Sequence, residues 1–252
     1  MLNYILDIIF PKRCSICNDV IPIVYNDFTC KSCAQHLKRV RITHCSDCGR
    51  NIFFDNQSDC IFCGNENLYF ENLFCAFPYD DLIGTAIKNG KYKNRPGIFK
   101  GFGSEMGTIF ENDFQDLNID CIIPIPIHKK RRQKRGFNQS EILSKEISKH
   151  TKIPMINNLL LREKNTKPQS AVGGFDSRKN NVKNAFAINE KSLKKYSENI
   201  NTIALIDDIY TTGSTLTTCC EVLKAIGVKN IYCFCLAITK KDDDFDQQEI
   251  LS

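Results

Sequence analysis

Residues 203–215 combine residue types that can bind a phosphorylated sugar. They read IALIDDIYTTGST, in which an apolar run ends in two adjacent carboxylates, Asp207 and Asp208. Two neighbouring carboxylates accept hydrogen bonds from two vicinal hydroxyls, such as the 2′ and 3′ hydroxyls of ribose, and their charge suits a developing ribosyl cation. The segment therefore predicts a site for a 5-phosphorylated ribose at the end of a buried strand.

The residues after the acid pair are suited to hold the phosphate group. A helix is predicted to begin at about Ser214, so backbone N–H groups at its N-terminus point at one anion, and Gly213 allows close approach. The predicted phosphate ligands are Thr211, Thr212, Gly213, Ser214 and Thr215. The alternative is a strand, an acidic turn and a capped helix without a ligand, but two adjacent acids after a buried strand have no evident packing purpose. A Walker loop is excluded because no GxxxxGK[ST] motif occurs.

A basic run follows a second predicted strand, at residues 119–123. The stretch PIPIHKKRRQKRGFNQ has two prolines that stiffen a turn before residues 129–135, which are rich in cations. A pyrophosphate leaving group needs such cations, because negative charge accumulates on it as the glycosidic bond breaks. We predict a basic loop that contacts this group through Lys129, Arg131 and Arg135. A solvated basic face is the alternative, and the position after a strand end argues against it.

Cysteine spacing predicts two metal centres in the first quarter of the chain. Eight of the fourteen cysteines form four CxxC pairs, separated by loops of 12, 11 and 11 residues. The predicted ligands of two structural zinc sites, each with four thiolates, are Cys14, Cys17, Cys30, Cys33, Cys45, Cys48, Cys60 and Cys63. Sequential pairing is the simplest arrangement, and an interleaved one stays open. The alternative is a redox-active CxxC, which needs only one pair in a thioredoxin-like context and is less favoured for four pairs. His36 and His44 are interpreted as surface residues rather than metal ligands.

The strand, the Asp-Asp pair and the Thr-Thr-Gly loop together resemble the binding signature of the type I phosphoribosyltransferases. This resemblance implies that Asp207 and Asp208 hold the ribose hydroxyls and that residues 211–215 hold the 5′-phosphate. It further implies phosphoribosyl pyrophosphate as the ligand, with Mg²⁺ on the pyrophosphate.

A second resemblance covers nearly all of residues 1–240. The motifs PIPIHKKRRQKRGFNQSE, LLREKNTKPQSAVGGFDSRKNNVKNAF and LIDDIYTTGSTL, preceded by four CxxC pairs, are similar to those of the ComF competence-protein family. The resemblance implies that the RGFNQ element, residues 135–139, lies beside the pyrophosphate. It also implies a mobile loop that closes over the ligand through Arg162, Thr166, Gln169, Arg178 and Asn181. In that family context the protein acts in natural transformation, with incoming single-stranded DNA and competence-machinery proteins as partners.

Strand-like and helical patterns alternate after residue 70, which predicts an α/β fold with a parallel sheet. Strands are expected at residues 72–77, 119–123, 202–206 and 230–238, and the resemblances imply a type I phosphoribosyltransferase-like sheet flanked by helices. We expect a double zinc-ribbon module at 1–70, this domain at 71–240, and an acidic flexible tail at 241–252. A capping-box pattern from Asn138 to Glu141 predicts that a helix begins there, and residues 162–184 are predicted to form a long polar loop.

The whole chain of 252 residues carries a formal charge of only +5, which does not by itself establish a nucleic-acid partner. No run approaches the roughly 18 apolar residues of a membrane span, so neither membrane insertion nor export is expected, and the location is expected to be cytoplasmic. Two functions stay open. One is a ComF-like binding protein that acts in DNA uptake. The other is an active phosphoribosyltransferase of nucleotide metabolism with an unidentified acceptor and no DNA role.

A surface for single-stranded DNA would extend the basic run. Four further cations precede it in the chain, and three aromatic residues could stack on bases, although such aromatics more often serve packing. The cations are Lys88, Lys91, Lys93 and Arg95, and the aromatic residues are Tyr92, Phe137 and Tyr210.

Overall fold

The computed structural model of the protein describes residues 11–22, 28–53, 60–63, 68–163, 185–196 and 200–239. In chain order its helices and strands are α1 (Lys31–His36), β1 (Ile42–His44), β2 (Asn51–Phe53), β3 (Asn72–Pro78), α2 (Asp81–Tyr92), α3 (Pro96–Asp113), β4 (Cys121–Pro124), α4 (Lys129–Arg135), α5 (Gln139–Thr151), β5 (Leu160–Arg162), β6 (Phe186–Ile188), α6 (Glu190–Tyr196), β7 (Thr202–Tyr210), α7 (Ser214–Ala225) and β8 (Asn230–Ile238).

A four-stranded parallel sheet forms the centre of the fold, in the order β3-β8-β7-β4. Successive residues of β7 pack into different clusters: Ile203 and Leu205 belong to one, and Ala204 and Ile206 to the other. Since side chains alternate between the faces of a strand, both faces of the sheet are covered. Helix α7 packs on the first face, and α2, α3 and α5 on the second. The predicted α/β class, with a parallel sheet flanked by helices, is confirmed.

Strand β7 continues further than the sequence predicts. The expected strand stopped at residue 206, but the ladder with β8 continues through Asp207 to Tyr210, which pairs with Ile238. The acids therefore belong to the paired end of the strand rather than to the loop that follows. Backbone hydrogen bonds to β8 hold the position of Asp207, so the acid pair has a rigid support.

Helix α5 approaches α3 closely because two glycines of α3 lie at the contact. A methyl group at Gly103 would lie 3.0 Å from Cβ of Glu146, and one at Gly107 would lie 2.8 Å from the His150 ring. Larger residues at either position would push the helices apart. This contact fixes the N-terminus of α5, which carries Gln139 and Ser140 toward the acid pair.

The predicted start of α5 is confirmed, although the Glu141 side chain of the predicted capping box binds other side chains. The Asn138 side chain accepts a hydrogen bond from the Ser140 backbone N–H over 3.2 Å and donates one to the Ile125 carbonyl over 2.9 Å. The Glu141 carboxylate accepts from Arg132 and Asn157. The cap therefore also ties α5 to the residue that follows β4.

The cysteine-rich segment packs directly on the sheet domain. The Phe28 ring lies 5.4 Å from the Phe102 ring, and the Asn51 side chain donates to the Leu73 carbonyl over 3.0 Å. The Val40 backbone N–H also donates to the Ala76 carbonyl, over 3.0 Å. Buried residues of both parts belong to the same two hydrophobic clusters. The predicted boundary near residue 70 stays a prediction, and the two parts share a core.

Two predicted segments lie outside the described residues. These are the acidic tail at 241–252 and most of the polar loop, at 164–184. Within the described ranges, no helix combines the length and the apolar character that crossing a membrane requires.

Candidate functional site

The acid pair at the carboxyl end of β7 is bound by the first two residues of α5. Ser140 Oγ donates to Asp207 Oδ1 over 3.1 Å, and Gln139 Nε2 donates to Asp208 Oδ2 over 2.8 Å. The Asp208 backbone N–H also donates to Asp207 Oδ1, over 2.8 Å. Asp208 is buried and Asp207 is half-buried. Both carboxylates are thus oriented before any ligand arrives, as preorganised binding requires.

Lys91, in the last turn of α2, forms an ion pair with the second acid. Its Nζ lies 2.5 Å from Asp208 Oδ2, and the two side chains expose only 16% and 10% of their surface. The sequence assigned Lys91 to a basic outer surface, and the structure contradicts this. Ile83, Ile87 and Lys91 are spaced four residues apart, so Lys91 lies on the buried face of α2. A lysine at that spacing was the signal that could have identified it.

The pKa values of the two acids are shifted in opposite directions. Burial raises the pKa of Asp208, but the ion pair with Lys91 and the hydrogen bonds from Lys91 and Gln139 outweigh it, so the net pKa is lowered. Burial and the adjacent Asp208 charge raise the pKa of Asp207 to about 7. One carboxylate is therefore ionised throughout the physiological range and the other titrates within it, a separation typical of functional sites.

The basic run forms helix α4, so the prediction of a basic loop is wrong. His128 Nδ1 caps it by accepting from the Lys130 backbone N–H over 3.2 Å, and Gly136 ends it in the left-handed region at φ +83°. Residues 129–135 are all Lys, Arg or Gln, which favour helix. The cations of the last turn also interact favourably with the carboxyl end of the helix dipole. The expected position after a strand end is confirmed, since α4 follows β4.

The cations of α4 do not all face the acid pair. Arg135 donates to Gln139 Oε1 over 2.6 Å, so a chain of hydrogen bonds links it to Asp208. Burial lowers the pKa of Arg131, and the charges of Arg162 and Arg135 lower it further, so both lie within electrostatic range of Arg131. Lys129 is exposed. The structure therefore brings Arg131 and Arg135 to the site and leaves Lys129 at its margin.

Arg162 anchors the first end of the predicted closing loop. It lies in β5, which pairs antiparallel with β6, and its guanidinium carbon is 5.1 Å from the centre of the Phe186 ring. Burial lowers the pKa of Arg162, and Asp207 acts in the opposite direction, so Arg162 lies within electrostatic range of the acid pair. Thr166, Gln169, Arg178 and Asn181 lie outside the described residues. The two described ends of this segment therefore lie side by side in the β5–β6 pair.

The segment after β7 turns sharply into α7. Helix α7 begins at Ser214, as predicted, and the Thr212 and Ser214 hydroxyl oxygens lie 2.8 Å apart. Gly213 has φ +74°, and a methyl group there would lie 2.7 Å from the Tyr210 hydroxyl. Glycine is thus required by the turn itself. The first amides of a helix have no acceptor within it, so they are available to an anion at this end.

The eight paired cysteines form two separate groups of four. Cys14, Cys17, Cys30 and Cys33 form one, Cys45, Cys48, Cys60 and Cys63 form the other, and in each group all ligand atoms lie within 4.8 Å of one another. The sulfur atoms of Cys17 and Cys30 are 3.6 Å apart, and those of Cys45 and Cys63 are 3.5 Å apart. A tetrahedral site with Zn–S bonds of ~2.3 Å has sulfur–sulfur edges of about 3.8 Å. The two four-cysteine sites fit two structural zinc ions.

Tight backbone turns explain why the thiols of each group come together. A residue in the left-handed region follows the second cysteine of the first and third pairs, Asn18 at φ 72° and Gly49 at φ 69°. The Asn18 N–H donates to the Cys14 carbonyl over 3.0 Å, and the Gly49 N–H donates to the Cys45 carbonyl over 2.8 Å. Each tight turn directs both thiols of a pair toward one point. The sequential pairing is confirmed.

Comparisons with known proteins agree with both parts of this arrangement. Residues 5–76 match the double zinc ribbon domain family. Competence protein F of Haemophilus influenzae is 28% identical over 240 residues, which cover 94% of this chain and 99% of that protein. This similarity over nearly the whole chain, with the N-terminal double zinc ribbon, supports an assignment to the ComF competence-protein family. Competence protein ComFC of Bacillus subtilis is 27% identical over 199 residues, 74% of each chain. DNA utilization protein YhgH of Escherichia coli is 28% identical over 232 residues, 91% of this chain and 98% of that protein.

The residues that hold the acid pair were only partly visible in the sequence. Gln139 was named as part of the RGFNQ element, but as a neighbour of pyrophosphate rather than a donor to Asp208. Ser140 was missed, because a serine after a helix cap usually has no role beyond the first turn. Its contact with Asp207 joins residues 67 positions apart, and no local pattern reports such a distance.

Proposed function

We propose that the carboxyl edge of β7, residues 211–215 and helix α4 form a binding site for phosphoribosyl pyrophosphate with Mg²⁺. The observation that carries the proposal is the acid pair, held by Ser140, Gln139 and Lys91 from two helices. It lies immediately before the turn into α7, where an anion is favoured. A ribose 5-phosphate carries both vicinal hydroxyls and a phosphate, which match the acid pair and the turn that follows it.

The parts of the ligand have distinct partners in this proposal. The ribose hydroxyls donate to Asp207 and Asp208, and the 5′-phosphate accepts from the amides and hydroxyls of residues 211–215. Arg131 and Arg135 face the pyrophosphate, with Arg162 and Arg178 on the closing loop. Carboxylate and phosphate oxygens are the ligands that Mg²⁺ prefers, and Mg²⁺ would offset the charge that develops on the pyrophosphate.

We further propose that the protein acts in natural transformation, at the stage where single-stranded DNA enters the cell, and that it works in the cytoplasm with other competence proteins. Support comes from the relatives, two of which are named competence proteins and one a DNA utilization protein. Helix α4 supports a DNA contact, since its exposed face carries Lys129, Lys130 and Lys134. Phosphate contacts of this kind give affinity without sequence preference.

The second candidate is an active phosphoribosyltransferase of nucleotide metabolism with no DNA role. The opposite pKa shifts of the two acids favour this enzyme, because Asp208 stays ionised and can stabilise a ribosyl cation as pyrophosphate leaves. Pyrophosphate release, screened against a set of nucleobase and amine acceptors, separates the candidates. Release that depends on one acceptor supports the enzyme, and no release with any acceptor supports a binding protein.

Thermal unfolding with and without ligand tests the binding site. At a concentration 100 times its Kd, phosphoribosyl pyrophosphate with Mg²⁺ should stabilise the protein by about 2.7 kcal/mol. The double variant Asp207→Ala, Asp208→Ala should lose this shift, whereas Asp113→Ala, which changes an exposed acid at the end of α3, should keep it. An unchanged melting temperature in the wild type rejects the proposal.

The proposed DNA contact is tested by the salt dependence of binding to a labelled single strand. Each phosphate contact contributes about 0.7 to the slope of log affinity against log salt. Replacing Lys129, Lys130 and Lys134 by alanine should therefore reduce the slope by about 2. The charge-matched control replaces Lys191, Lys194 and Lys195 of α6. Equal losses in both triple variants would show that only net charge matters, which contradicts a contact surface on α4.

A further inference from the structure

Tyr92 is an aromatic residue beside the acid pair that the fold leaves exposed. It exposes 72% of its surface, more than any other aromatic residue in the described ranges. The other two aromatic residues of the predicted stacking surface serve packing instead. Tyr210 exposes only 7%, and the Phe137 ring lies 5.8 Å from the Phe99 ring. A stacking role therefore falls to Tyr92 alone among the three.

The position of Tyr92 is fixed relative to the acid pair by its neighbour in the chain. Lys91 is anchored to Asp208 at 2.5 Å, and consecutive Cα atoms are about 3.8 Å apart. Two further residues, Arg131 and Tyr79, lie within electrostatic range of the phenol. The pKa of Arg131 is lowered by burial first and by nearby arginines, and Tyr92 acts against this lowering. The pKa of Tyr79 is raised by burial and then by Asp208 and Tyr92.

These contacts put two planar groups, the Tyr92 ring and the Arg131 guanidinium, at the margin of the proposed ribose site. Both kinds of group stack on nucleobases. A ribose whose hydroxyls face Asp207 and Asp208 carries at C1 either pyrophosphate or a base. Tyr92 offers pyrophosphate one hydroxyl, because the rest of its side chain is an aromatic ring. An exposed ring here therefore matches a base better than it matches a leaving group.

We propose that Tyr92 is the stacking residue for the nucleobase of a ligand whose ribose 5-phosphate occupies the acid pair and the 211–215 turn. The inference rests on the proposed function and extends it to the base-bearing side of the same site. The base belongs either to a free ribonucleotide or to the 3′ end of a ribonucleotide strand, because both keep the two ribose hydroxyls. Both sources present the same chemistry to the ring.

Two matched ligands test the assignment in the full-length protein. Ribose 5-phosphate carries the sugar and phosphate alone, whereas adenosine 5′-monophosphate adds a base. Tyr92→Ala should weaken binding of the nucleotide by roughly 5- to 150-fold and leave the affinity for ribose 5-phosphate unchanged. Tyr92→Phe keeps the ring and should bind both ligands as the wild type does. Tyr69→Ala, at the other exposed tyrosine of the described chain, is the control and should change neither affinity.

The outcomes separate this inference from the proposal on which it depends. If the wild type binds ribose 5-phosphate and Tyr92→Ala leaves nucleotide affinity unchanged, the stacking role is overturned while the ribose-phosphate site stands. If the wild type binds neither ligand, both proposals fall. An oligoadenylate of ribonucleotides, whose 3′-terminal ribose keeps both hydroxyls, distinguishes the sources when it is added as competitor. Competition at lower concentration than adenosine 5′-monophosphate identifies a strand end as the source, and weaker competition identifies a free nucleotide.

Discussion

Lys91 Nζ lies 2.5 Å from Asp208 Oδ2, in an ion pair that is largely shielded from water. The pair joins the end of α2 to the end of β7, and Gln139 adds a third element by donating to the same carboxylate oxygen. An ionised, oriented Asp208 is the result.

Lys91→Met should destabilise the folded protein. Removing one partner of a buried ion pair leaves an uncompensated charge, which costs about 3 kcal/mol. The lowered pKa of Asp208 gives stability that is present above its unfolded-state value of about 4 and is lost as the pH falls through the folded-state pKa. Urea unfolding of both proteins should therefore show a large difference at pH 7 that persists down to about pH 4 and narrows below it.

Lys88→Met provides the control for this experiment. Lys88 lies in the same helix and is exposed, so its replacement should change stability by less than about 0.5 kcal/mol. Similar losses in both variants would contradict a specific role for the Lys91–Asp208 pair. A loss in Lys91→Met that stays constant as the pH falls well below 4 would contradict the electrostatic cause.

Asp207→Asn should change the pH dependence of stability in the opposite sense. The pKa of Asp207 is raised to about 7 by burial and by Asp208. The stability linked to the raised pKa is present below the unfolded-state value of about 4 and is lost as the pH rises through 7. Wild-type stability should thus fall relative to Asp207→Asn between pH 5 and pH 8, as measured by urea unfolding at each pH. The exposed-acid variant Asp113→Asn should run parallel to the wild type, and a parallel Asp207→Asn curve would refute the raised pKa.

Gly213→Ala should destabilise the turn before α7. The left-handed conformation at φ +74° costs an alanine about 1–2 kcal/mol, and its methyl group would press on the Tyr210 hydroxyl at 2.7 Å. Gly97→Ala in the first turn of α3 meets no atom within 4 Å and should stabilise by up to about 1 kcal/mol. Thermal unfolding measures both. Equal effects would show that the backbone at Gly213 relaxes without strain.

Zinc stoichiometry in paired serine variants should report the sequential cysteine grouping. Cys17 and Cys30 belong to one group and Cys48 to the other. Cys17→Ser with Cys30→Ser should therefore leave one zinc ion per chain, whereas Cys17→Ser with Cys48→Ser should leave none or only weakly held metal, because each site keeps three thiolates. Elemental analysis of the purified proteins gives the ratio.

The control for the zinc experiment is Cys235→Ala. Cys235 is fully buried in the sheet core and belongs to neither group, so this variant should keep two zinc ions even if it loses stability. An interleaved arrangement would give the reverse pattern in the double variants if the first and third pairs shared a metal.

The amino-acid sequence by itself determined the features that depend on local pattern. The four CxxC pairs specify thiolates for two metal ions, and continuous apolar runs specify parallel strands buried on both faces. The helix start at Ser214 follows from residues that are adjacent in the chain. Each of these signals arises from spacing within about ten residues, where backbone geometry links sequence directly to position.

The tertiary structure alone decided which distant residues meet. Contacts of Ser140 with Asp207 and of Lys91 with Asp208 depend on how α5 and α2 pack on the sheet. The tertiary structure also decided that the basic run is helical. It placed the cysteines of the first two CxxC pairs in one group and those of the last two pairs in another. Packing fixes such choices because one carboxylate at the end of a strand is within reach of several helix ends, and only close contacts such as that at Gly103 select among them.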